Sequence, residues 1–230
     1  AANLASILET WAYPLVQQNT SQDPATQLLT RLSPEERVGQ LFLVTFTGTG
    51  ADEGTPVYDL IREQHIGGVV LLSANDNFTS EPQALESLQS MIRQMHLTRW
   101  TASQGTSASG AAGQPEAVDF IPLLVGTSQE GDGSPNVQIL SGLTKLPNQT
   151  ALGATWPPQL VEKLANVLGT ELTAIGINLL LGPALDVLES PEPDSSSDLG
   201  TRAFGGDPYW VGKLGSAFVR GVHAGSQGKV

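Results

Sequence analysis

The stretch Gly176-Ile177-Asn178-Leu179-Leu180-Leu181-Gly182-Pro183-Ala184-Leu185-Asp186-Val187 decides the fold. A short apolar run that stops in Gly-Pro reads as a strand buried on both faces. The segment before it, Pro158 to Ile175, carries Leu160, Leu164, Val167, Leu168 and Leu172 at helical spacing, and Gly176 is its natural terminator. After the strand comes an acidic Ser/Pro loop over 189–200. Then follows Gly200-Thr201-Arg202-Ala203-Phe204-Gly205-Gly206-Asp207-Pro208, whose last two residues open a final helix running through Val222. One carboxylate, Asp186, and one guanidinium, Arg202, therefore fall just past a strand end. In sheets wound with helices, that is where chemistry gathers.

Working outward, the same unit recurs. Gln40-Leu41-Phe42-Leu43-Val44-Thr45-Phe46, Ile66-Gly67-Gly68-Val69-Val70-Leu71-Leu72 and Phe120-Ile121-Pro122-Leu123-Leu124-Val125-Gly126 are β-branched and apolar runs bounded by turn residues. Ser33-Pro34-Glu35-Glu36 starts a short helix, with Ser33 as N-cap, Pro34 in the first turn and Glu36 closing a capping box. Helical patterns also cover Pro56 to Gln64 and Pro82 to Leu97. Residues 98–118 are Ser/Gly/Ala/Gln-rich and predict a flexible, low-complexity excursion. Residues 1–30 read as an N-terminal arm or helix packed on the body, with an amphipathic piece (Leu4, Ile7, Leu8, Trp11, Leu15) and then a polar linker from Gln17 to Gln27. The body proper is 31–230. Another strand could begin at Gly228-Lys229-Val230.

Four strands alternating with helices, each strand buried on both faces, call for an α/β protein with parallel strands and right-handed crossovers. Two architectures satisfy this, an open doubly wound sheet and the first four units of a (β/α)8 TIM-like barrel. Four units cannot close a barrel, which takes about 250 residues.

Composition narrows the function. A net charge of −12 with only eleven Lys and Arg in 230 residues argues against a nucleic-acid backbone as partner. No apolar run approaches the ~18 residues of a membrane span. With no Cys there is neither a thiolate nucleophile nor a Cys metal site, and His65, His96 and His223 lack metal-ligand spacing, so no metal or other cofactor is expected. The chain begins Ala1-Ala2-Asn3 without a leader. Few Lys, many Ser, Thr, Gln, Asn and Gly, and no Cys point to an extracytoplasmic or secreted protein. The sequons at Asn19, Asn77 and Asn148 read as chance in a chain rich in Asn and Thr.

Several stretches together resemble the N-terminal domain of glycoside hydrolase family 3. They are Leu32-Ser33-Pro34-Glu35-Glu36-Arg37-Val38-Gly39-Gln40-Leu41-Phe42, Ile66-Gly67-Gly68-Val69-Val70-Leu71, Ile121-Pro122-Leu123-Leu124-Val125-Gly126 leading to Gln129-Glu130-Gly131, Ala151-Leu152-Gly153-Ala154-Thr155, Leu185-Asp186-Val187, and Gly200 to Pro208. The resemblance implies a TIM-like barrel that hydrolyses β-linked N-acetylglucosaminides or glucosides with retention and without a metal. One carboxylate would attack the anomeric carbon and a second group would protonate the leaving oxygen.

Carried over residue by residue, Arg202 falls on the family's substrate-binding arginine, and a forked guanidinium suits vicinal hydroxyls or an N-acetyl group. Ser128 stands where the family has a sugar-gripping Asp, and a hydroxyl holds a diol less firmly than a carboxylate. The arginines expected after that motif are absent, the sequence there being Gly133-Ser134-Pro135-Asn136-Val137-Gln138. The family's Lys-His motif and its nucleophilic Asp would lie beyond Val230, so no catalytic residue is expected within this chain and it is expected to be inactive alone. Candidate substrate-binding residues are Arg202, Ser128, Glu130 and Asp186. Against that stand plainer roles: Glu130 as a structural acceptor, Asp186 as a turn cap or an arginine's partner, Arg202 in a rim ion pair. Asp132, Asp194 and Asp198 read as solvated loop charges, His65 as capping a helix or facing solvent, and Ser128 lacks the neighbouring base a nucleophile needs.

Three functions follow. The chain is part of a family 3 glycosidase whose site is completed elsewhere, or a non-catalytic carbohydrate-binding or protein-interaction relative, or a scaffold whose half-barrel dimerises to cover its edges. Expected partners are accordingly a carbohydrate and either the remaining part of the barrel or a second copy.

Overall fold

The computed structural model describes residues 23–79, 81, 83–106, 120–131, 139, 141–189 and 200–230. The elements run α1 (Pro24–Arg31), α2 (Pro34–Gly39), β1 (Leu43–Val44), α3 (Pro56–Arg62), β2 (Gly68–Val70), α4 (Ala84–Thr106), β3 (Leu124–Thr127), α5 (Gln149–Ala154), α6 (Pro158–Ile175), β4 (Leu179–Leu180) and α7 (Pro208–Ser226). Short 3-10 turns cover Ser73–Asn75 and Gly200–Arg202. The strands pair in sequence order, β1-β2-β3-β4, and every pair is parallel. A doubly wound sheet reverses its strand order at a switch point. The uninterrupted order instead makes this the opening half of a TIM-like barrel.

Register sorts the strand residues into two faces. Leu43 pairs with Gly68 and Gly68 with Leu124; Val44 pairs with Val69 and Val69 with Val125. Because neighbours along a strand point oppositely, Val69, Leu71 and Val125 look outward into the helix layer, where they are fully buried. Leu43 and Leu124 look inward to the concave face and remain 47% and 40% exposed. Gly68 is required between them, since a Cβ there would lie 2.4 Å from the carbonyl oxygen of Leu124. The ladders are shorter than the apolar runs, but single bonds continue them, Leu71 N–H to Gly126 O at 2.8 Å and Leu181 N–H to Thr127 O at 2.9 Å.

Helix ends follow the sequence signals. Ser33 Oγ accepts the Glu36 N–H at 3.1 Å while Glu36 Oε2 accepts the Ser33 N–H at 2.8 Å, the expected capping box. Gly176 ends α6 at φ 91°, and Asp207 caps α7 through the Trp210 N–H. Three expectations are corrected. Pro24–Gln27 belong to α1, not to a linker, because Asp23 caps that helix through the Thr26 N–H; α1 has no buried residue. Residues 98–106 continue α4 instead of forming a flexible excursion, while 107–118 lie outside the described residues. Long side chains anchor that continuation: Arg99 Nε–H donates to Ile121 O at 3.0 Å, and Trp100 meets Phe120 edge-on at 5.1 Å. Burial lowers the Arg99 pKa from its ordinary value, and the Glu36 charge opposes that shift. Finally, His65 neither caps α3 nor stands free in solvent, being half-buried. It sits three residues past the end at φ 53°, and its carbonyl accepts the Gln40 Nε2–H at 2.6 Å.

Side-chain amides replace missing backbone partners at the strand ends. Asn178 Oδ1 accepts the Val125 N–H at 2.7 Å and its Nδ2 donates to Leu123 O at 2.9 Å. Asn77, buried, accepts the Leu72 N–H at 2.9 Å and donates to Phe46 O at 3.1 Å and Gly48 O at 2.9 Å. It thereby ties the loops after β1 and β2. A glycan on that nitrogen is incompatible with this fold, which agrees with reading the sequon as chance. Asn77→Ala is expected to cost about 1–3 kcal/mol by orphaning these backbone groups, seen as a lower urea midpoint at unchanged m-value. Among the described residues no helix is long and apolar enough to cross a membrane.

Candidate functional site

The carboxyl rim of the sheet brings two of the four candidate residues together. Glu130, three residues past β3, has a side chain only 2% exposed, and its Oε2 accepts Nε–H of Arg202, whose side chain is 32% exposed. The Glu130 carboxylate also lies against the backbone of Gly182 just beyond β4, where a Cβ would stand 3.3 Å from Oε1. Glu130 is thus a structural acceptor, and Arg202 is in a rim ion pair. The pairing uses one guanidinium edge. The Arg202 Nη groups have no partner among the described residues.

The segment carrying Arg202 is fixed from several sides. Thr150 Oγ1–H donates to Ala203 O at 2.9 Å, and the Leu188 N–H donates to Gly205 O at 3.1 Å. Phe204 is buried, its ring against Phe218 with centroids 6.4 Å apart. Helix α5 approaches so closely that a Cβ on Gly153 would overlap the Phe204 carbonyl oxygen at 1.9 Å. A guanidinium held this way loses little freedom on binding, which is the basis of preorganisation.

The other two candidates stand apart from the pair. Ser128 is half-buried at the end of β3, two residues before Glu130. Asp186 is exposed and has neither an ion pair nor a hydrogen bond among the described residues, so the expectation that it caps a turn or pairs with an arginine is not met. Arg202 is committed to Glu130 instead, because Glu130 is the buried carboxylate and gains more from a cation than a hydrated one does. Asp132, Asp194 and Asp198 lie outside the described residues.

One contributor escaped the sequence reading. Gln129 is buried and grips the backbone of Ile139 twice, accepting its N–H at 2.9 Å and donating to its carbonyl at 3.0 Å. It ties the residue beside Glu130 to Ile139. Its signal was its place beside Glu130 in the Gln129-Glu130-Gly131 motif. Among the described residues no group of His, Asp or Glu converges as a metal site would require.

A model of the glycosyl hydrolase family 3 N-terminal domain matches residues 33–227. The chain belongs to this family. Among similar proteins, the β-N-acetylglucosaminidase/β-glucosidase of Cellulomonas fimi is 29% identical over 198 residues, covering 85% of this chain and 28% of that protein. A β-hexosaminidase of Thiobacillus denitrificans is 37% identical over 112 residues, 46% of this chain and 30% of that protein. Among solved structures, a β-N-acetylhexosaminidase from Beutenbergia cavernae superposes with a TM-score of 0.64 at 32% identity, covering 85% of this chain and 52% of that one. The family 3 β-N-acetylglucosaminidase from a Paenibacillus species gives 0.66 at 28% identity, over 84% of this chain and 31% of that one. The chain therefore spans about a third of the length of the curated relatives it matches. The family 3 assignment and the half-barrel agree, and they place the Glu130–Arg202 pair on the face of the fold where barrel enzymes bind substrate.

Proposed function

We propose that this chain supplies the sugar-holding half of a retaining family 3 glycoside hydrolase site, acting on β-N-acetylglucosaminides or β-glucosides. The observation that carries this reading is Arg202 on the carboxyl rim, anchored through Nε by buried Glu130, with no partner for its Nη groups among the described residues. In the reaction, a carboxylate attacks the anomeric carbon while the glycosidic oxygen leaves with a proton from an acid. Water then cleaves the glycosyl ester, returning the carboxylate and releasing the sugar with its original β-configuration. Arg202 would hold the hydroxyls or N-acetyl group of the reacting ring so that the anomeric carbon meets the nucleophile. On this reading the nucleophile and acid come from residues outside this chain, and the exposure of Leu43 and Leu124 on the strand face supports it, since further barrel units would cover them. The named activities of the relatives support the sugar class.

A second reading is favoured by Ser128, which offers a hydroxyl where a carboxylate would grip a diol: a relative that binds sugar without cleaving it. A chromogenic assay separates the two. The chain alone is expected to bind 4-nitrophenyl N-acetyl-β-glucosaminide without releasing 4-nitrophenol, and the encoded protein at the length of its relatives to release it. Release by the chain alone would overturn the assignment of the catalytic groups elsewhere. Release by neither would favour the second reading.

A further inference from the structure

Three aromatic rings gather beside the site without serving the core. Trp156, at the turn between α5 and α6, is 59% exposed and meets Trp210, on the first turn of α7, edge-to-face with centroids 5.0 Å apart. Tyr209, 63% exposed, meets Trp210 at 5.5 Å, and the Lys213 ammonium lies 5.4 Å from the Tyr209 ring. Large rings left this exposed and adjacent mark a contact surface more often than a packing accident.

The backbone of Trp156 is the second observation. It occupies the position after the C-cap of α5 at φ 66°, where its N–H bonds to Gly153 O at 3.2 Å. Glycine is the usual residue there, because a Cβ is penalised in the left-handed region. A bulky ring kept at such a position is a strained choice of the kind that accumulates at functional sites.

The location supplies the third. Gly153 touches the Phe204 carbonyl, two residues beyond Arg202, and Trp156 is three residues further on, a reach of at most about 10 Å. The cluster also sits where α6 and α7 begin. Those two helices pack backbone to backbone, a Cβ on Gly169 falling 2.3 Å from Val222 O. The cluster belongs to the helix layer, not to the strand face that bears Leu43 and Leu124.

We propose that Trp156, Trp210 and Tyr209 form an accessory platform for a chain of β-linked N-acetylglucosamine units whose terminal sugar is held at Arg202. The ligand class rests on the function proposed above. In a β-linked N-acetylglucosamine ring the polar substituents are equatorial, so both faces present axial C–H groups. Those faces suit the electron-rich face of an indole or phenol, while the indole N–H and the Lys213 ammonium remain available to hydroxyl and carbonyl oxygens. Asp207, just before Tyr209, caps the helix start beside the rings, and Lys213 lies over Tyr209, so the patch joins aromatic faces to polar groups as a sugar surface does.

The test is a titration of the 15N-labelled chain with N-acetylglucosamine and with its β-1,4-linked tetramer, read at the tryptophan indole signals. The tetramer is expected to shift Trp156 and Trp210 but not Trp100, and to bind roughly 10-fold more tightly than the monosaccharide. Trp156→Ala should remove most of that gain while leaving monosaccharide binding intact. Tyr209→Ala, at a ring outside the core and 63% exposed, gives a smaller loss and guards against a folding artefact. If the monosaccharide binds but the tetramer gains nothing and leaves Trp156 unmoved, the platform is refuted and the role of Arg202 survives. If the tetramer moves Trp156 equally in wild type and Arg202→Gln while the monosaccharide binds neither, the platform stands and the role of Arg202 falls.

Discussion

Arg202→Ala is expected to lower the unfolding free energy by about 3–5 kcal/mol, more than Glu130→Gln does. The asymmetry comes from burial. The Glu130 side chain is 2% exposed and that of Arg202 32%. Removing the arginine strands a carboxylate that water cannot reach. Glu130→Gln instead leaves an uncharged amide oxygen to accept the Arg202 Nε–H, and a guanidinium already partly in water. The double variant Arg202→Ala/Glu130→Gln should therefore be more stable than Arg202→Ala alone, a positive coupling measured by urea denaturation of all four proteins. Simple additivity would mean that the two side chains are not paired in solution.

Gly153→Ala is the second large effect, expected at about 3 kcal/mol, the upper end for overpacking. The added Cβ would sit 1.9 Å from the Phe204 carbonyl oxygen, and the obstacle is backbone, so no rotamer change relieves it. Either α5 withdraws, losing the Thr150 bond to Ala203 O, or the 200–204 segment shifts and takes Arg202 with it. Sugar binding should fall together with stability. A neighbouring control, Ala154→Ser at an exposed position of α5, should change neither by more than about 0.5 kcal/mol.

Much of this fold is legible from local signals. The capping box at Ser33 and Glu36, the Gly176 stop and the Asp207-Pro208 start depend on a few adjacent residues, and each stands where the sequence puts it. The choice between barrel and doubly wound sheet is different. It depends on which strands are neighbours, a long-range property that periodicity does not carry, and the β1-β2-β3-β4 order decides it. Composition misled at 98–106, where a Ser/Gln/Ala-rich tail reads as low complexity although Arg99 and Trp100 hold it to the residues before β3. At the site, the motifs named Arg202 and Glu130 separately. That they form one unit, 72 positions apart in sequence, needed the structure. Asp186, read from the sequence as a turn cap or an arginine's partner, is instead exposed, because position in a motif does not fix a side chain's partner. The aromatic cluster left no sequence pattern at all, since Trp156 and Trp210 lie 54 positions apart and become neighbours only when α6 and α7 pack.

The central claim is that Arg202 holds a sugar at the carboxyl rim. It is tested most directly by saturation-transfer NMR of N-acetylglucosamine with the wild-type chain and with Arg202→Gln, after urea denaturation has shown the variant folded. A clear transfer signal from the N-acetyl methyl group is expected with wild type, and its loss with Arg202→Gln. An equal signal from both proteins, or none from the wild type, would contradict it.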